Sequence, residues 1–416
     1  MPLEKAMISS FDQLSLQESE PVSAKKVAGA GTSTGAAAAA VKIVPSRHSV
    51  TNTSHSGDAS FKSKPQDTLL ELVNTPDRGM AVFTRRKIKA GTTVVAERPL
   101  ILLDKDKEAD WAAIEHEFAA LSRTDQKTYL RLWDAQKSRM SRVVSIYYSN
   151  CHNCDAFIKA RTSQPAGQNG EGQGEGDGRV NNKGGGSAIG AFCSRLNHSC
   201  VPNVQFSYDQ ASNEMRFRAI RDIPKGKEVC TNYDRGVFEV KAHRQQKQLI
   251  HYGFVCSCDA CQPPTEFWAK SDDRRRAMYE AFRTVQACEK RFGGGGSRSS
   301  GGGGSSDGSS GGSRSSNGRT MKEKESVERR AVVNQALTAL AKLEALLLKE
   351  GLVGLPLANT YRSLAKWAER KGDGDGDGGV AAATQWKRKE LEVCLVIFGE
   401  QARRTREIED TLKRAD

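Results

Sequence analysis

Three cysteines crowd into six residues at Cys256-Ser257-Cys258-Asp259-Ala260-Cys261, and no other feature of this 416-residue chain restricts its folding so tightly. Thiolates one and two residues apart converge within a tight turn, so the run can wrap one side of a tetrahedral metal ion. The alternative is a set of packed or free cysteines, but three crowded thiols without a metal are a redox liability. The N-terminal stretch has no apolar core of the kind a secretory signal carries. Ala36 to Ala40 is too short for one, and Asp12, Glu18 and Glu20 argue against a transit peptide. The ten cysteines are therefore expected in a reducing compartment, where clustering reads as metal binding rather than disulfide formation. A tetrahedral site still needs a fourth ligand, which the run itself does not supply.

Composition matters for where the globular parts lie. Hydrophobic residues make up 37% and glycine contributes 39 positions, because 163–187, 293–318 and 372–379 are runs of Gly, Ser, Asp, Asn and Gln. Such runs bury little apolar surface and are expected to be solvated: the first as an insert, the other two as linkers. Residues 1–66 read as disordered. From there, Met80–Thr84, Thr92–Glu97 and Leu100–Leu103 are short aliphatic or β-branched pieces separated by turn signals at Lys89-Ala90-Gly91 and Arg98-Pro99. Apolar positions Trp111, Ile114, Phe118, Leu121, Leu130, Leu132 and Trp133 suit one or two amphipathic helices over 108–135. Strands are expected again at Val204–Tyr208, Met215–Ala219 and Glu228–Asn232, and a helix from Val237 to His251 leads into the cysteine run. Beyond 266 the pattern predicts helices over 271–291, 324–350, 356–371 and 381–414, the second with a wide apolar stripe from Ala331 to Leu346. The fold class is α+β followed by an all-α region, and no apolar run long enough for a transmembrane helix is evident.

The net charge of +13 favours acidic partners, chromatin included, through long-range attraction, and serves solubility equally well. Rival chemistries leave no trace: there is no Walker loop, no dinucleotide fingerprint, no Gly-x-Ser-x-Gly elbow and no His-Glu-x-x-His helix. Cys151-His152-Asn153-Cys154 lacks the second pair a zinc finger needs, and Cys193, Cys230, Cys288 and Cys394 read as small core residues.

The sequence Asn197-His198-Ser199-Cys200-Val201-Pro202-Asn203, followed by short strands, Tyr233, a helix and then the cysteine run, resembles the SET-domain methyltransferases. It is most similar to the SET-and-MYND branch and its fungal relatives, without a recognisable MYND finger. The resemblance spans about 72–262 and implies a SET fold of small sheets with a pseudoknot over 67–255, then a post-SET zinc segment over 256–265, with the helical region at 266–416. It implies that Arg78, Gly79 and Met80 hold the methionine part of S-adenosyl-L-methionine, although Ala81 stands where many members have a second glycine. By the same resemblance, Asn197 and His198 hold the cofactor's amino group and adenine, and Phe254 covers the adenine. Tyr233 would be the catalytic tyrosine and, with Tyr252, line the lysine channel. Cys200 would join Cys256, Cys258 and Cys261 on a structural Zn2+.

These residue types make physical sense for methyl transfer. An amine attacking a sulfonium methyl group must be stripped of water, neutral and in line. Aromatic faces pack the lysine stem and attract its cationic head. The expectation is thus a protein-lysine N-methyltransferase of nucleus or cytoplasm acting on histone tails or other basic proteins, working as a monomer and away from membranes. A catalytically inert SET scaffold or chromatin adaptor, working through its C-terminal helices, is the other reading.

Overall fold

The computed structural model describes residues 65–154, 186–234, 236–293, 317–375 and 378–415. The disorder expected over 1–66, the insert and the 293–318 linker lie almost wholly outside these residues. Disorder is corrected at its end, because α1 (Pro65–Leu69) buries Gln66, whose amide accepts from Ala96 N–H at 3.2 Å and donates to Ala96 C=O at 3.3 Å.

β1 (Leu70–Thr75) and β2 (Gly79–Thr84) form an antiparallel hairpin, with Gly79 at φ +63° where the chain reverses. β3 (Thr93–Glu97) pairs with β9 (Glu214–Ala219), which also pairs with β8 (Val204–Asp209). Along β9, Met215, Phe217 and Ala219 are buried while Glu214, Arg216 and Arg218 reach solvent, the two-residue period of a half-buried strand. β4 (Ile101–Asp104) joins β6 (Gly186–Ile189) and β5 (His152–Asn153) in another small sheet. β7 (Asn197–His198) runs parallel to β10 (Cys230–Thr231), so two segments far apart in sequence meet side by side.

The helical stretch expected over 108–135 is two helices, α2 (Trp111–Ala119) and α3 (Arg123–Tyr129), each started by a side-chain cap from Asp110 or Ser122. α4 (Arg142–Asn150) escaped the sequence reading. Its Val143, Val144, Ile146 and Tyr147 favour strand locally, but packing of its buried side chains with Ile101, Ile114, Tyr129 and Ile189 decides for helix. α5 (Lys241–Tyr252) ends at Gly253, whose φ of +77° and N–H bond to Leu249 C=O make a left-handed cap just before the cysteine run.

α6 (Glu266–Ala269) and α7 (Ser271–Gly293) lead to α8 (Asn317–Glu350), α9 (Leu355–Asp375), α10 (Gly378–Ile397) and α11 (Arg403–Lys413). Three expectations are corrected here. The 372–379 linker is helical at 372–375 and 378–379. A Cβ on Gly379 would stand 2.2 Å from Gly372 Cα, so paired glycines let α9 and α10 touch backbone to backbone. The helix expected over 381–414 breaks at Gly399, φ +84°. And 326–350 contains an 18-residue window apolar enough by composition to cross a membrane, with mean hydropathy 1.4 over that window. Within the fold, its Val333, Ala336, Leu340, Leu343 and Leu347 pack with Met278 of α7 and Leu364 and Trp367 of α9.

Candidate active site

The cysteine run folds as a turn in which Cys261 and Gln262 N–H both reach Cys258 C=O, at 2.7 and 2.8 Å. That turn places three thiols on one side, and β7 delivers Cys200 to the other. The four Sγ atoms lie within 4.8 Å of one another, with Cys200 3.9 Å from Cys256 and 3.6 Å from Cys261. Four thiolates at zinc's bond length stand about 3.8 Å apart, so the donor set and its spacing fit a closed zinc site held by Cys200, Cys256, Cys258 and Cys261. The crowded thiols share hydrogen bonds, and that from Cys200 lowers the Cys261 thiol below its ordinary value.

Two residues outside the cluster meet its sulfurs. Arg244 of α5 is buried and donates from Nε to Cys200 Sγ at 3.2 Å and from Nη2 to Cys261 Sγ at 3.6 Å. Burial works against its charge, but the two sulfurs outweigh burial and raise its pKa above the ordinary arginine value. His198 Nδ1 accepts from Tyr233 N–H at 3.1 Å, which leaves the proton on Nε2, facing Cys200 Sγ at 3.4 Å. Burial lowers this imidazole to about 4, so it stands neutral near pH 7.

The aromatic residues gather on the same spot. Tyr233 lies 4.9 Å from Tyr252, 5.3 Å from His198 and 6.3 Å from Phe254, ring centre to ring centre. Tyr233 Oη donates to Leu196 C=O at 2.8 Å, and burial raises both the Tyr233 and Tyr252 phenols, which remain protonated donors. Beside them, Asn197 Nδ2 donates to Glu228 Oε1 at 2.9 Å and to Met80 C=O at 3.3 Å. Arg78 donates to Glu228 Oε2 at 2.6 Å and to His198 C=O at 3.0 Å. Burial opposes the Arg78 charge, and Glu228 together with Cys230, Cys256 and Asp77 outweighs it to raise the pKa. A Cβ on Gly79 would meet nothing within 4 Å, so the backbone between Arg78 and Met80 faces open space.

All the residues singled out in the sequence thus fall into one neighbourhood: Arg78, Gly79, Met80, Asn197, His198, Tyr233, Tyr252, Phe254 and the four cysteines. Cys151 and Cys154 stand apart from the thiolate cluster, with no metal-type grouping around them among the described residues. Sequence reasoning missed Glu228, which ties Arg78 to Asn197; Arg244; and Trp133, whose indole N–H donates to Tyr252 C=O at 2.9 Å. A lone glutamate or arginine between strands or on a polar helix leaves no spacing signal, so only the fold exposes these.

Residues 79–234, which hold Asn197, His198, Glu228 and Tyr233, match the family model described as the SET domain. Among curated relatives, the histone-lysine N-methyltransferase set5 of Schizosaccharomyces pombe is 27% identical over 54% of this chain and 60% of its own length. The histone-lysine N-methyltransferase ASHR2 of Arabidopsis thaliana is 38% identical over 21% of this chain and 23% of its own. The protein-lysine N-trimethyltransferase SMYD5 of Homo sapiens is 38% identical over 18% of this chain and 19% of its own. The chain therefore spans at most 60% of the length of these relatives. A solved SET domain of LSMT bound to lysine and AdoHcy aligns at 10% identity with a TM-score of 0.27, covering 83% of this chain and 91% of that one.

Proposed function

We propose that the chain is an S-adenosylmethionine-dependent protein-lysine N-methyltransferase. The observation that carries this reading is the meeting of Tyr233, Tyr252 and Phe254 with Asn197 and His198 at a point pinned by four thiols. The cofactor supplies an activated methyl group; the chain's own residues do the positioning. Asn197, the Met80 carbonyl and the Gly79 backbone would hold the polar methionine end, and Phe254 the adenine face. Tyr233 and Tyr252 would pack the lysine stem, exclude water and orient the amine with neutral hydroxyls, which favours the uncharged nucleophile. A closed four-thiolate zinc leaves no open coordination position, so its part is to fasten the Phe254 segment onto the Asn197 segment.

Histone tails are the substrate class favoured by the relatives' names, with residence in nucleus or cytoplasm. The chain's basic balance suits the nucleic acid that accompanies histones rather than the basic tails themselves. Purified full-length protein with isotopically labelled S-adenosylmethionine and a panel of histones and basic proteins tests the reading, with methylated lysines read by mass spectrometry. Absence of label on every acceptor, together with no calorimetric binding of S-adenosylmethionine, would sink it and favour the scaffold.

A further inference from the structure

A buried carboxylate from the far end of α8 reaches into the site through one arginine. Glu350 and Arg275 are both 0% exposed. Glu350 Oε1 accepts from Ser271 Oγ at 2.5 Å and from Arg275 Nε at 3.1 Å, while its Oε2 accepts from Arg274 Nε at 2.6 Å. A purely structural pair fastening α7 to α8 would need no more than this. Arg275 goes further: Nη2 donates to Cys200 C=O at 3.1 Å, and Nη1 donates to Val237 C=O. Cys200 follows Asn197 and His198, and Val237 follows Tyr233, so one guanidinium ties together the two backbone segments that carry the cofactor and channel residues.

We infer that Glu350, acting through Arg275, is a positioning residue: the C-terminal helical region sets the distance between the Cys200 segment and the Val237 segment. The planar fork of arginine is what allows one charge to hold two carbonyls and a carboxylate at once. A lysine at 275 would keep the charge beside Glu350 and lose the bridge. The part of this inference that concerns the cofactor rests on the methyltransferase reading; the part that concerns Cys200 does not.

The test compares zinc-loaded full-length wild type with Glu350→Gln, Arg275→Lys and Leu340→Ala, the last a cavity control in the core of the same α8 helix. Two constants are read well below each protein's unfolding temperature. One is the rate of zinc loss to a chromogenic chelator, and the other is the calorimetric affinity for S-adenosylhomocysteine. Both Glu350→Gln and Arg275→Lys should lose zinc on the order of 10-fold faster and bind S-adenosylhomocysteine on the order of 10-fold more weakly. Leu340→Ala should lower the melting temperature and leave both constants near wild type. If the Glu350 and Arg275 variants lower only the melting temperature, as the control does, the bridge is merely structural and the inference fails. If wild type binds no S-adenosylhomocysteine, the methyltransferase reading falls, and zinc release alone decides for or against the bridge.

Discussion

Replacing Arg244 with glutamine separates what holds the metal from what holds the fold. Four thiolates on a divalent ion leave excess negative charge in a buried site, and Arg244 is the cation whose N–H groups meet two of the sulfurs, at 3.2 and 3.6 Å. Loss of such a partner around a metal costs about 10- to 100-fold in affinity, or about 1.4–2.7 kcal/mol. The same guanidinium also donates to Ala260 C=O at 3.1 Å and to Glu239 C=O. Stranding those buried carbonyls costs about 1–3 kcal/mol each in fold stability, whether or not the metal is bound. The two effects therefore appear in different assays. Competition against a chromogenic chelator should show zinc bound about 10- to 100-fold more weakly, and urea unfolding of the metal-free protein should show the separate stability loss. An Arg244→Gln protein with native circular dichroism and wild-type zinc affinity would refute the claim that the guanidinium offsets thiolate charge.

Other substitutions address the remaining parts. Tyr233→Phe removes one hydrogen bond, to Leu196 C=O; kcat for labelled methyl transfer should fall on the order of 100-fold while stability changes by no more than about 1.5 kcal/mol. A kcat within twofold of wild type would remove Tyr233 from the chemistry. Burial holds His152 at about 4 against an ordinary 6.5. The unfolded chain thus binds more protons between those values, and stability should climb with pH through that window and level off above it. Urea midpoints from pH 4 to 8 check this. His198, likewise held at about 4, adds a similar climb, so His152→Gln should remove only part of the slope; an unchanged slope would argue against the imidazole. Gly379→Ala puts a methyl group against the Gly372 backbone and should destabilise the helical region by roughly 1–3 kcal/mol. Thermal melts of this variant matching wild type would show that α9 and α10 can part without cost.

What the sequence determined by itself was whatever depends on neighbours along the chain. The spacing of Cys256, Cys258 and Cys261 already forces their thiols to one side of a turn, and the alternation along Met215–Ala219 marks a half-buried strand. Order and residue type in the Asn197–Asn203 stretch were enough to point at a fold family. Tertiary structure decided what depends on partners distant in sequence. Only folding shows Cys200 3.6 Å from Cys261; before that, the fourth ligand rested on resemblance. The strand-prone α4 becomes a helix because buried contacts outweigh local preference. In the sequence Arg244 and Arg275 look like solvent-facing charges on polar helices, and Glu350 like one at the end of an apolar helix. They are buried because sulfurs, carbonyls and each other satisfy them across the fold, and periodicity along a helix carries no record of such partners.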